Sequence, residues 1–404
     1  MKRLKIFFLI IIGLLPLVLV SCYGAGQAMV GWSGTAFDAG VVYAGTRDGR
    51  VVAVNSSNRD VLWSYAMIVT SAGGLSCGPT SSATAIYSTP IVDGDLVYVG
   101  TYSGQVLALS TRARSQNLTF PQQRFGEWGW DCPSDGAKNK AIVANLLVGE
   151  DVIYVSSSNG RVYCLDREFG DPDWQSEVLD KRHEKLWTSP VIRGGVLYVG
   201  TLDGHIYALS AETGQLSSWS FQSDGGFASS PVIYEDTLFL GSFDRHLYAV
   251  EIGSNASMWR FPAEEPAGNW FWASPALNED IVYAGCLDGR LYAVNATTGT
   301  EIWSYMTEDQ EGKPSPIICS PVLMDNSLIV VNESGTVYVF DVTAQNGNEG
   351  VPLKTISVGA GVRSSFCADD GLVYVRGEND SVYVVDIGEG IVAEGWPVSL
   401  ATEK

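Results

Sequence analysis

Nowhere in these 404 residues do two cysteines adjoin, and no Cys-x-x-Cys spacing occurs. That disfavours a zinc site, which draws several thiolates or imidazoles from short, fixed spacings. Histidine is nearly missing as well, with only His183, His205 and His246. Of these, His205 and His246 hold the same place after successive turns, as a repeat would put them. Basic charge is scarce, with 25 Lys and Arg against 45 Asp and Glu and a formal net charge of -20. Neutralising phosphates needs a face of Lys and Arg, so nucleic acid is excluded as a partner. The sequence has no Gly-x-x-x-x-Gly-Lys phosphate loop, no Gly-x-Ser-x-Gly whose triad partners can be placed, and no helical apolar period. Its many carboxylates are spread over repeated turns, so none stands out as an acid/base pair for glycoside cleavage. No catalytic or metal-binding residue is therefore assigned.

What is present is apolar and turn-rich. The composition includes 46% hydrophobic residues, 44 Gly, 18 Tyr and 12 Trp, which suits a β protein with a large core and rules out a disordered chain. One fourteen-residue pattern recurs eight times, beginning at Val41, Leu96, Val152, Val196, Thr237, Ile281, Ser327 and Leu372. The clearest copy, VLYVGTLDGHIYAL, reads as two strands joined by an Asp-Gly turn. Later copies are spaced by roughly 41–46 residues and the first two intervals stretch to about 55, which implies insertions. A strand often opening with Ser-Pro precedes each hairpin. A Trp-bearing strand follows six of the eight, at Trp63, Trp174, Trp219, Trp259, Trp303 and Trp396. The unit is therefore four short antiparallel strands.

Both faces of each hairpin are apolar. Leu197 and Val199 point one way, Tyr198 and Gly200 the other. A sheet with no wet side has to be covered twice, and stacking such sheets around an axis does this while leaving only short edges. The expectation is an all-β, eight-bladed β-propeller occupying 35–400 as one domain, followed by a tail at 401–404. Gly200, Gly45, Gly100, Gly241 and Gly285 are expected to let a neighbouring backbone or ring approach closely.

Residues 1–21 lie outside this domain. A basic start, an apolar run and Leu19-Val20-Ser21-Cys22 resemble the signal and lipobox of a bacterial lipoprotein. The resemblance implies lipid on Cys22, an anchor and linker over 22–34, and an extracytoplasmic protein held at the cell membrane or at the periplasmic face of an outer membrane. Six cysteines then remain in an oxidising compartment. Cys77 and Cys132, in two irregular insertions, are the expected disulfide pair. Cys164, Cys286, Cys319 and Cys367 fall in or beside strands as small buried hydrophobes.

The insertions are 67–87, 118–139 and 261–275, each read as joining one blade's outer strand to the next blade's inner strand. They carry Trp128, Trp130, Trp270, Phe271 and Trp272. Two readings stay open for these rings: an exposed interaction surface, or an inward fold that caps the channel or seals the blades.

The pattern Tyr-Val-Gly-Thr-x-Asp-Gly-x-x-Tyr-Ala-Leu-x-x-x-Thr-Gly-x-x-x-Trp, best seen at 198–219 and 283–303, resembles the PQQ-like repeat of β-propellers named after pyrroloquinoline-quinone enzymes. The quinoprotein dehydrogenases of that family imply adjacent cysteines over the quinone and a carboxylate–Asn calcium site. Neither can be matched here, so no cofactor is assigned. Among lipid-anchored members the chain resembles the accessory lipoproteins of outer-membrane β-barrel assembly (BamB-type), which implies a monomeric, non-catalytic scaffold that docks a protein partner at the envelope. A quinoprotein or ligand-binding propeller is one alternative, and a carbohydrate- or envelope-binding module is the other.

Overall fold

A computed structural model describes residues 31–71, 80–112, 126–133, 140–179, 185–254, 256–343 and 350–401. The described strands form eight antiparallel blades in chain order, over 35–66, 91–131, 147–175, 191–222, 232–261, 276–306, 322–357 and 367–399. Within each blade the strands follow one another from the channel outwards. The outer strand of blade 8 is split into Ile391–Val392 and Val398–Ser399, both pairing with Ser381–Asp386. A further hairpin, Ile68–Ser71 with Thr80–Ala83, follows blade 1. Cys22, Cys77 and His183 lie outside the described residues.

The sheets have no wet side in their middle strands. In blade 4, Leu197, Tyr198 and Val199 are all buried, as are their counterparts in the other blades. Their burial divides into eight apolar clusters, each spanning two adjacent blades. A row of eight sheets has seven seams, so the eighth cluster closes the ring. There Val42, Ala44, Val52 and Val54 of blade 1 meet Tyr374, Val382, Val384 and Leu400 of blade 8. Phe37 stacks on Tyr374 with centroids 4.4 Å apart, and Thr35 Oγ1 donates to the Tyr374 carbonyl at 2.6 Å. Closure uses no strand exchange, because blades 1 and 8 each hold their own strands.

In blades 3 and 5 a tryptophan links the outer strand to the next blade. Trp174 Nε1 donates to the Ala211 carbonyl and Trp259 Nε1 to that of Ala296. The ring face lies on a turn glycine of the following blade. A Cβ on Gly214 would stand 2.4 Å from Trp174 Cε3, and one on Gly299 would stand 2.6 Å from Trp259 Cγ. This is the Thr-Gly of the repeat, so the motif records a seam between blades.

The expected close approaches at glycine are also present. A Cβ on Gly45 would meet Ser33, on Gly100 Ile142, on Gly200 Phe227 and on Gly285 Ile317, all under 3.0 Å.

Burial of the seams reaches the titratable groups. It pushes the thiols of Cys164, Cys286, Cys319 and Cys367 from 9.0 up to about 12. It does the same to the Tyr43, Tyr283 and Tyr374 hydroxyls, from 10.0 to about 12. Above pH 9 the unfolded chain releases protons that the folded chain keeps, so stability falls as pH rises towards 12. Denaturant midpoints are expected to hold steady up to about pH 9 and then drop steadily; a midpoint that rises over this window contradicts the assignment. The same four thiols should resist alkylation in the native protein at pH 8 and react fully once it is denatured.

Candidate functional site

The residues that lead into each inner strand build the mouth of the channel. Seven of the eight lead-ins alternate buried and part-exposed positions without a break, as in Phe271-Trp272-Ala273-Ser274-Pro275. The first position is the apolar plug under the glycine of its neighbour strand. The third often binds the equivalent strand residue of its own blade: Ser88 Oγ both donates to the Gly100 carbonyl and accepts from its N–H, and Thr188 does the same with Gly200. The lead-in is also stapled to a hairpin turn, with Ile142 N donating to Thr101 O and Ser158 N to Ala141 O. These contacts leave the second and fourth side chains facing the channel.

The second positions differ from blade to blade. Trp32, Tyr87, Trp187 and Trp272 hold four of them, Val143, Ala228 and Ile318 three, and Arg363 the last. They line a cavity of about 160 Å³. Trp187 and Trp272 have centroids 6.2 Å apart. Trp272 stacks on Phe243 at 5.8 Å, and Phe243 meets Trp270 at 4.8 Å. Across the mouth, Trp32 meets Tyr87 at 6.0 Å and Tyr87 meets Tyr102 at 5.3 Å. Two aromatic arcs thus face each other.

Charge gathers at the closing seam. Arg363 bridges Glu333 at 2.7 Å and Glu378 at 3.0 Å while lying 5.6 Å over the Trp32 ring. Arg376 pairs with Asp380, whose carboxylate also accepts the Arg47 N–H at 3.0 Å. Three arginines and three carboxylates balance.

Most of the fourth positions are linked from blade to blade by hydrogen bonds. Ser189 N donates to Ser230 Oγ at 2.8 Å, Ser230 N to Ser274 Oγ at 3.0 Å and Ser274 N to Ser320 Oγ at 3.0 Å. Thr89 N finds Asn145 Oδ1 at 2.8 Å in the same way. Ser230, Ser274 and Ser320 thus each spend a lone pair on the neighbouring blade.

Three of the five aromatic candidates are not surface residues. Trp128 is 8% exposed and Trp130 9%, while Phe271 is fully buried. Trp128 occupies the outer-strand place in blade 2: its Nε1 donates to Arg167 O at 2.9 Å, and Gly170 sits against its ring. The outer strand Gly126–Asp131 therefore belongs to blade 2, and the extra residues fall before it, between the third and outer strands. Trp130 packs on Tyr163 of blade 3 at 4.9 Å, and Phe271 fills the plug position against Gly241. Trp270, at 43% exposed, stands open on the mouth, and Trp272 is half-buried in its wall.

Of the expected disulfide pair, Cys132 is buried with Sγ 3.4 Å from both Ser157 Oγ and Asn159 Nδ2. His205 and His246 each turn Nδ1 to the aspartate of their own turn, Asp203 and Asp244, at 3.1 and 3.3 Å. Among the described residues no three His, Cys, Asp or Glu side chains gather as a metal site.

Trp32, Tyr87, Trp187 and Arg363 escaped the sequence reading. For Tyr87 and Trp187 a signal was available in the place three residues before a Thr-Pro or Ser-Pro proline, Tyr87-Ser-Thr-Pro90 and Trp187-Thr-Ser-Pro190; Trp32 and Arg363 precede no such proline.

Eight stacked blades with an aromatic-mouthed channel define an eight-bladed propeller of PQQ-like repeats. A family model described as outer membrane protein assembly factor BamB matches residues 24–176 and again 174–394, and the chain belongs to that family. A curated relative, the outer membrane protein assembly factor BamB of Kangiella koreensis, is 26% identical over 149 residues, which is 37% of this chain and 33% of that protein. The match thus spans about a third of the relative's length. The crystal structure of BamB from Moraxella catarrhalis is similar at a TM-score of 0.63 and 18% identity, over 87% of this chain and 95% of that one. A europium-containing methanol dehydrogenase is similar at 0.61 and 12% identity, over 89% and 82%. At these identities the structural likeness speaks to the fold.

Proposed function

We propose that this protein is a non-catalytic, protein-binding scaffold in outer-membrane protein assembly, anchored through lipid on Cys22 outside the cytoplasm. The family match over both halves of the chain carries the reading. The mouth supports it: an exposed Trp270 beside Phe243, on loops stapled to rigid turns, offers the aromatic anchors that protein interfaces favour. The charged closing seam, with Glu333, Arg363 and Glu378, gives the same rim a polar side.

Affinity purification of the full-length lipidated chain from detergent-solubilised outer membranes tests this. The expected result is near-stoichiometric recovery of the assembly machinery's integral β-barrel protein, lost when Cys22→Ala leaves the chain unanchored and restored on mixing purified components. Recovery of no such protein, together with dye-linked alcohol oxidation after loading with pyrroloquinoline quinone and calcium, would favour the quinoprotein alternative.

A further inference from the structure

We propose that the aromatic mouth of the central channel binds a single hexopyranose ring, a function separate from scaffolding. Size comes first. A closed cavity of about 150 Å³ holds a benzene-sized ring, whereas drug-sized ligands use about 300 Å³ or more. The mouth offers about 160 Å³ and opens to solvent, so one ring can enter with its substituents reaching into water.

Chemistry narrows the ring. Trp187, Trp272 and Trp32 supply apolar faces on opposite sides of the lumen. Ser230, Ser274 and Ser320 each accept one backbone N–H, and among the described residues their own hydroxyl hydrogens have no acceptor. Their O–H groups are therefore left for an acceptor in the lumen. A hydrocarbon or simple aromatic ring would displace water and leave those donors unpaired. An anionic ring gains little from Arg363, which is already held by the two carboxylates of Glu333 and Glu378. A neutral ring with an apolar C–H face and several hydroxyl oxygens meets both demands: stacking on tryptophan and acceptance from the three serines.

The test is a titration of the full chain with methyl β-glucoside, methyl N-acetyl-β-glucosaminide and the β-1,4-linked tetrasaccharide of each. Tryptophan fluorescence reports binding, and saturation-transfer NMR reports which sugar protons touch the protein. At least one methyl glycoside should saturate, with Trp187→Ala and Trp272→Ala each weakening it by about tenfold or more while the melting curve is kept. A tetrasaccharide that binds more tightly than its methyl glycoside identifies a glycan chain as the source, and equal binding identifies free sugar. N-acetyl-tyrosinamide stands in for a partner's side chain. Saturation by it and by no saccharide would overturn the proposal. So would no saturable response to any sugar, or an undiminished response in the Trp187→Ala/Trp272→Ala double variant.

Discussion

Trp128→Ala is expected to destabilise the protein by about 3–5 kcal/mol, whereas Trp270→Ala should cost about 1 kcal/mol or less. The two rings lie in neighbouring parts of the same repeat design and differ in what surrounds them. Trp128 lies between blades 2 and 3, inside a cluster with Tyr98, Val155 and Tyr163. Removing it leaves a void beside Gly170, which has no side chain to fill the space, and strips the Arg167 carbonyl of its N–H donor. Trp270 gives up one ring contact with Phe243 on a solvent-facing rim. Denaturant titration of both variants at neutral pH decides the matter. Equal and small losses would return Trp128 to the surface.

Gly241→Ala should be as severe as many large core truncations although it adds only a methyl group. The new Cβ would lie 2.3 Å from Phe271 Cβ and 2.6 Å from the Phe271 carbonyl oxygen. Neither can swing away: Phe271 plugs the seam between blades 5 and 6, and Gly241 N is tied to Ser229 Oγ at 3.1 Å. Overpacking of this kind costs about 1–3 kcal/mol where side chains can yield, and more where backbone must move. The control is Gly253→Ala, whose added methyl meets nothing within 4 Å and whose φ is not in the left-handed region. It should be neutral or stabilising by up to about 1 kcal/mol. A melting temperature unchanged by Gly241→Ala would mean that blades 5 and 6 do not approach as described.

These residues also show what the sequence makes legible. Gly241 and its equivalents stand out because a glycine at the same place in successive copies marks a close approach that any side chain would block. The period, the four-stranded unit and the paired apolar faces follow from alternation alone. Trp128 was hidden because extra residues separate it from its own hairpin, Leu96–Ser110, so register with the other copies is lost until strand pairing restores it. Ring closure was hidden for a different reason. Contacts such as Phe37 on Tyr374 join the two ends of the chain, and no local pattern reports them. The mouth lay between these cases. Its proline marker was visible in five lead-ins, but the side chains three residues earlier vary from Trp to Ala to Ile, and only the fold places them on one rim with Trp32 and Arg363.

Hydroxyl-radical footprinting of the native protein tests the closed ring most directly. Tyr374 and Tyr283 occupy the same strand position, each covered by a different blade, and each is 1% exposed. Only Tyr374 depends on the first blade meeting the last. Oxidation of Tyr374 as slow as that of Tyr283 is the predicted result, and Tyr374 reacting at the rate of a surface tyrosine such as Tyr234 would contradict it.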